Sequence, residues 1–218
     1  SVTNPAGTAL SAADFTVITA PSITSFTPSS GAVGTSVAIS GSNFSTVTAV
    51  TFNGVADPSF VINSDTQITA TVPAAASSGK ISVTNPAGTA LSASDFTVIT
   101  APSITSFAPT SGPVGTSVIL TGTNFGSATA VAFNGTAATS FTVDSEVQIT
   151  ATVPAAASTG KIAVSNPAGT TLSAADFTVI VAPSITSFTP SSGAVGTSVT
   201  LSGSNFSTVT AVTFNGVA

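Results

Sequence analysis

The 218 residues include 2 basic and 7 acidic side chains, a net charge of −5, and no histidine, cysteine, methionine, tryptophan or tyrosine. With 4 % charged residues against the ~25 % usual for a soluble domain, the chain lacks the clustered Lys and Arg that hold nucleic acid, and thiol and imidazole chemistry are absent. A hydrophobic fraction of 42 % with 14 spread phenylalanines excludes a disordered tract, and no apolar run approaches the ~18 residues of a membrane span.

Taken in chain order, the sequence is one repeated unit. PSITSF begins at Pro21, Pro102 and Pro183, 81 residues apart, and the same period separates NPAGT at Asn4, Asn85 and Asn166, DFTVI at Asp14, Asp95 and Asp176, and ITATVPAAAS at Ile68 and Ile149. Residues 1–20 read as the C-terminal part of a repeat, 21–101 and 102–182 as complete repeats, and 183–218 as the N-terminal part of another. The stretch 183–218 matches 21–56 except at Thr200 and Leu201, which replace Ala38 and Ile39, and it matches 102–137 less well. The opening SVTNPAGTAL has neither the basic start nor the apolar core of a signal peptide. The two end pieces together lack the equivalent of 57–81. The expectation is therefore a parent chain that continues in both directions, not end-to-end completion of a domain.

Within 21–101, apolar residues alternate with small polar ones at period two, the pattern of half-buried strands. The predicted strands are Ser22–Phe26, Ser36–Ser40, Ala49–Asn53, Ser59–Asn63, Gln67–Val72, Lys80–Thr84 and Asp95–Ile99. Turn signals punctuate them at Pro28 to Gly31, Gly34, Gly41, Asn53-Gly54, before Gly79, and at Asn85 to Gly88. Ala74 to Ala76, between Pro73 and Gly79, are too few for a helix. About seven short strands with regular turns predict an all-β, two-sheet sandwich. Its candidate core is Val37, Ile39, Phe44, Val50, Phe52, Phe60, Ile62, Ile68, Val72, Ile81, Val83, Phe96 and Val98.

The run PSITSFTPSSGAVGTSVAISGSNF, followed by VTAVTFNGVA, SDTQITATVP and GKISVTNPAGTALSASDFTVI, resembles the IPT/TIG domain, whose hallmark is a Pro/Gly turn and then G-T-x-V-x-I-x-G-x-N-F. The following repeat has PTSGPVGTSVILTGTNF, so the resemblance spans the chain. It implies tandem immunoglobulin-like sandwiches of the early-set type, as found in bacterial surface proteins, polysaccharide-acting enzymes, plexin-type receptors and Rel-type transcription factors. The basic DNA-contacting loops of the last class are missing here. Phe96 to Ala101 run into Pro102 to Phe107 with no Gly/Ser-rich spacer, which predicts a rod-like array with limited hinge motion.

No catalytic, cofactor-binding or metal residue is assigned, and no cofactor is implied. Without His or Cys the usual triads and dyads cannot form. Asp144 and Glu146 are an acidic pair, but Asn63 and Asp65 stand in their places one repeat earlier, so they read as solvated turn residues. A Ca²⁺ site needs clustered carboxylates, and Asp14, Asp95 and Asp176 are isolated. If Asn85 faces Ala90 across the NPAGTA hairpin, Lys80 lies opposite Asp95 and Lys161 opposite Asp176, within a residue of register. Such a pair reads either as an exposed cross-strand ion pair, worth up to about 1 kcal/mol, or as a self-formed isopeptide, which also needs an acid in an apolar pocket. Three sequons occur at Asn43, Asn134 and Asn205. Asn43 and Asn205 belong to the G-x-N-F turn and are expected to bond backbone. Gly54, Gly135 and Gly216 follow Asn in hairpin-type turns.

The sequence thus points to a non-enzymatic, extracellular or bacterial cell-surface repeat protein acting as a stalk or spacer in adhesion. The alternatives are a self-associating filament or matrix subunit, favoured by a surface with little like-charge repulsion and few charges guarding sheet edges, and a carbohydrate-binding accessory module, which lacks Trp and Tyr platforms. The expected partners are neighbouring repeats and other copies of the chain, laterally or end to end, with no nucleic acid and no transmembrane segment.

Overall fold

The computed structural model describes residues 1–217; Ala218, the last residue of the 183–218 segment, lies outside them. The chain divides into two compact units, one over Ser1–Ile99 and one from Thr100 onward.

The first unit opens with the hairpin β1 (Val2–Asn4) and β2 (Gly7–Ala9). Its complete repeat then runs β3 (Ser22–Thr27), β4 (Ser30–Gly31), β5 (Ser36–Ser42), β6 (Ala49–Phe52), β7 (Val55–Ala56), β8 (Val61–Ser64), β9 (Gln67–Thr71), β10 (Gly79–Asn85) and β11 (Gly88–Val98). These form a four-stranded sheet in the order β3-β5-β9-β8 and a five-stranded sheet in the order β4-β11-β10-β6-β7. All pairings are antiparallel except β4 with β11, which is parallel.

Alternation decides what each strand buries. On β5, Val37 and Ile39 face inward; on β6, Val50 and Phe52; on β9, Ile68 and Ala70; on β10, Ile81 and Val83. With Phe44, Val47, Val72 and Phe96 they make one core, against which Ile23, Phe26, Phe60, Ile62 and Val98 pack half-buried. Phe52 and Phe96 meet edge to face, ring centroids 5.3 Å apart, the favoured aromatic geometry.

The second unit repeats the plan with β12 (Ser103–Ala108), β13 (Ser111–Gly112), β14 (Ser117–Thr123), β15 (Ala130–Phe133), β16 (Thr136–Ala137), β17 (Phe141–Ser145), β18 (Gln148–Thr152), β19 (Gly160–Asn166) and β20 (Gly169–Val179). Its sheets are ordered β12-β14-β18-β17 and β13-β20-β19-β15-β16. In the same unit, after the complete repeat, β21 (Ser184–Thr189) and β22 (Thr200–Ser204) pair, and a 3₁₀ turn follows at Phe206–Thr208.

Each predicted strand has an observed counterpart. Two short strands per repeat, β4 and β7 in the first, were not predicted, and the last strand starts at Gly88 instead of Asp95. The core gains Val47 and Ala70 over the predicted set, while Phe60, Ile62 and Val98 lie at its margin.

The hairpin register is a correction with an instructive cause. Asn85 pairs with Gly88, not Ala90, because the turn is the two residues Pro86-Ala87. A bulge between Lys80 and Ser82 then restores Lys80 to Asp95. The predicted pair is therefore right through two offsets that cancel.

Candidate functional site

The residues singled out by repetition converge on the edge where the chain enters each repeat. Gly41 lets β3 and β5 approach: a Cβ there would sit 1.8 Å from the Ser22 carbonyl oxygen and 2.5 Å from Phe44. Asn43 follows in the left-handed region (φ 59), which Asn tolerates better than other side chains. Its Nδ2 donates to the Ala20 carbonyl at 2.9 Å, and Phe44 is fully buried one residue later. From the opposite sheet, the buried Asn85 donates from Nδ2 to the Thr19 carbonyl at 2.8 Å and to Thr46 Oγ1 at 3.2 Å. Its Oδ1 accepts from the amides of Ala87 and Gly88, closing the turn between β10 and β11.

The next repeat copies this set. Asn124 (φ 58) donates to the Ala101 carbonyl at 2.9 Å, and Asn166 to the Thr100 carbonyl at 2.8 Å and Ser127 Oγ at 3.1 Å. Asn205 likewise reaches the Ala182 carbonyl at 3.1 Å. The sequon asparagines thus serve the fold. Asn134 does so elsewhere, donating to Ser158 Oγ and the Thr159 carbonyl, as Asn53 does to Ser77 and Ser78. The backbone-bonding role expected for Asn43 and Asn205 is what the geometry shows.

The Lys–Asp pairs form as exposed ion pairs, Lys80 to Asp95 and Lys161 to Asp176, each at 3.1 Å. Each ammonium also donates into the adjoining bulge, to the carbonyls of Ala93 and Ala174. Inside the bulge the buried Ser92 takes over the ladder's work: Ile81 N donates to its Oγ, which donates onward to the Ser94 carbonyl. Ser173 does the same for Ile162 and Ala175. With more than 40 % of each side chain exposed, these pairs lack the apolar pocket that isopeptide formation needs.

Asp144 and Glu146 are split between separate structural tasks. Asp144 accepts from Thr150 Oγ1 at 2.7 Å, as Asn63 accepts from Thr69; Glu146 accepts from the Gly126 amide, while Asp65 accepts from the amide and hydroxyl of Ser45. The Ser45 hydroxyl, helped by the Ser45 amide, holds the Asp65 carboxyl below its usual 3.8. Asp14 is exposed. Among the described residues, no three or more His, Cys, Asp or Glu gather where they could hold a metal, and no helix is long and apolar enough to cross a membrane.

Two hollows are pieces of an uncovered core. One of about 570 Å³ is lined by Ile185, Leu201, Phe206, Val209 and Val212, and another of about 640 Å³ by Phe188, Val199 and Phe214. Their counterparts in the first repeat, from Ile23 to Phe52, are the residues that β9, β10 and β11 cover.

The IPT/TIG domain signature matches residues 21–98, 102–179 and 183–218. The chain belongs to the IPT/TIG family. Each complete IPT/TIG repeat is an immunoglobulin-like β-sandwich, and they stand in tandem.

Similar solved structures include SGBP-B from a complex xyloglucan utilization locus in Bacteroides uniformis (23 % identity, TM-score 0.37, 73 % of this chain and 50 % of that one). Others are the plexin A4 extracellular region (23 %, TM-score 0.47, 80 % and 17 %) and the surface glycan-binding protein PbSGBP-B of Prevotella bryantii (22 %, TM-score 0.35, 68 % and 38 %). The chain spans half or less of each of these molecules. No curated protein sequence matches it significantly.

Sequence reasoning missed three sets of residues: the grip of Asn85 and Asn166 on the lead-in, the bulge serines, and Asp57. The first two carry a visible signal, since Asn85/Asn166 and Ser92/Ser173 recur at the repeat period. Asp57 does not, because Ala138 replaces it.

Proposed function

We propose that these IPT/TIG repeats are a non-catalytic spacer in an extracellular surface protein, a stalk that carries other parts of the molecule away from the cell. One observation supports this above others: the asparagines, bulge serines and phenylalanines that the repeats share are turned to holding each unit together. In both complete repeats the motif asparagines and bulge serines bond within their own unit. All ten phenylalanines of those repeats belong to the two cores, five in each. No aromatic ring of a complete repeat is left as a platform for a sugar, which speaks against the carbohydrate-module reading.

The test is mass per unit length of the native particle by electron microscopy, with glycan-array binding of the 218-residue chain alongside. The spacer reading expects the mass of one chain in cross-section and no glycan signal. Several chains side by side would overturn it in favour of a lateral filament, and saturable glycan binding in favour of a carbohydrate module.

A further inference from the structure

We infer that the dipeptide ahead of the first proline of each complete repeat is a clamped part of the repeat that follows, held by two asparagines, and not a linker. This inference stands apart from the spacer reading. Thr100 and Ala101 are exposed, and an exposed stretch between two strands would ordinarily be free to move. Here both consecutive carbonyls are taken: Thr100 O by Asn166 Nδ2 and Ala101 O by Asn124 Nδ2. The next residue, Pro102, is buried and has its φ fixed by the ring. The Thr19 and Ala20 carbonyls are taken in the same way by Asn85 and Asn43, and Pro21 is buried.

Two features make the grip firm. The asparagines approach from different sheets, one after β5 or β14 and the other at the end of β10 or β19, so the dipeptide ties the sandwich together where the chain enters. Each amide is also fixed before it binds. Asn166 is nearly buried, with its Oδ1 accepting from the Ala168 amide, and Asn124 is set by its left-handed backbone. A side chain already oriented loses little freedom on making its bond. The compact units divide between Ile99 and Thr100, on the side of the dipeptide that this inference requires. The hallmark G-x-N-F and the repeated N-P-A-G then share one purpose, to seat the incoming chain.

The experiment is ¹⁵N relaxation on the full 218-residue chain, comparing Thr100 and Ala101 in the unaltered protein and in a double variant, Asn124→Gly with Asn166→Asp. Glycine accepts the left-handed backbone without strain, and aspartate keeps the Oδ1 acceptor of the turn while removing the donor. Order parameters at Thr100 and Ala101 should fall from about 0.85, the rigid-backbone value, to below about 0.6. Thr19 and Ala20 stay rigid as the internal reference, and the β18 and β19 shifts stay in place. Flexible Thr100 and Ala101 in the unaltered protein, or no change in a folded double variant, would overturn the inference. Should the variant unfold its repeat, a through-hydrogen-bond coupling from Asn166 Nδ2 to the Thr100 carbonyl in the unaltered chain decides instead: its presence upholds the clamp and its absence removes it.

Discussion

Asp57 is the sharpest difference between the two complete repeats, and replacing it with alanine should loosen one sheet edge selectively. The carboxylate is buried, with Oδ1 accepting from the Ser59 amide at 2.9 Å and hydroxyl at 2.8 Å, and Oδ2 from the Thr71 amide at 2.6 Å. The Ser59 bonds are local and close a turn; the Thr71 bond ties the loop after β7 to the end of β9. In the second repeat Ala138 holds this place, and the Thr152 amide donates to the Ser140 carbonyl at 2.9 Å. The first repeat thus uses a carboxylate where the second uses backbone. Hydrogen bonds to a charged group contribute about 1.5–3 kcal/mol each. The two Ser59 bonds are local and give way to water when the turn opens, so Asp57→Ala should cost about what the single Thr71 bond contributes, about 2–3 kcal/mol. Hydrogen exchange on the whole chain should show this as roughly 30–150-fold faster exchange in β8 and β9, at 1.4 kcal/mol per factor of ten, with β17 and β18 unchanged. Asp57→Asn, which keeps one acceptor oxygen, should fall between. Unchanged protection over Val61–Thr71 would refute the reasoning, and equal loosening of both repeats would show that the effect is not local.

Four further outcomes follow from the same contacts. Gly122→Ala places a Cβ 1.9 Å from the Ser103 carbonyl oxygen and 2.5 Å from Phe125; it should destabilise the second repeat by about 3 kcal/mol, seen by calorimetry as a lower second-unit transition. Lys161→Met removes an exposed pair and should change stability by less than about 1 kcal/mol, and the intact mass of the unaltered chain should show no loss of water or ammonia. Ala138→Asp introduces a half-buried carboxylate that can take the bonds from Ser140, the counterpart of Ser59, but not the Thr152 amide, which stays on the Ser140 carbonyl; it should change stability by less than about 1 kcal/mol, well short of what Asp57 contributes, as calorimetry of the second unit would show. For Asp65 the folded carboxyl lies below its usual 3.8 because of Ser45. Its contribution is therefore complete above the unfolded value and is lost as pH falls through the lower folded value. Asp65→Asn should flatten the acid side of the first unit's stability profile below 3.8, measured by circular dichroism.

Much of the fold is legible in the sequence because strands with one buried face must alternate, and the turns between them need Gly, Pro or Asn. What stays hidden depends on contacts that alternation does not encode. β4 is two residues long and exists because Thr97 and Val98 lie beside Ser30 and Gly31. Val47 sits in a loop whose inward turn comes from Phe44, to whose carbonyl its amide bonds, and Ala70 is too small to stand out as core. The β10–β11 register shows how local reasoning can reach a right pair by a wrong path. The turn is tighter than the NPAGTA pattern implies, and the bulge at Ser92 adds back what the tighter turn removes.

The site was legible only in part, for a related reason. Repetition marks Asn43 and Asn85 as important, and Asn is the expected residue at a left-handed or turn position. Repetition does not say that the second amide reaches Thr19, 66 residues earlier in the chain. That contact crosses the boundary that the motifs themselves suggest, since PSITSF marks the start of a repeat at Pro21 while the bonds reach back to Thr19. A boundary drawn by similarity falls where the repeated pattern begins; a boundary drawn by hydrogen bonds falls where the chain is first held. In a duplicated array the second is the one that matters physically. Each complete unit then brings the asparagines that close on its own lead-in dipeptide, so a unit can be added without designing a new joint.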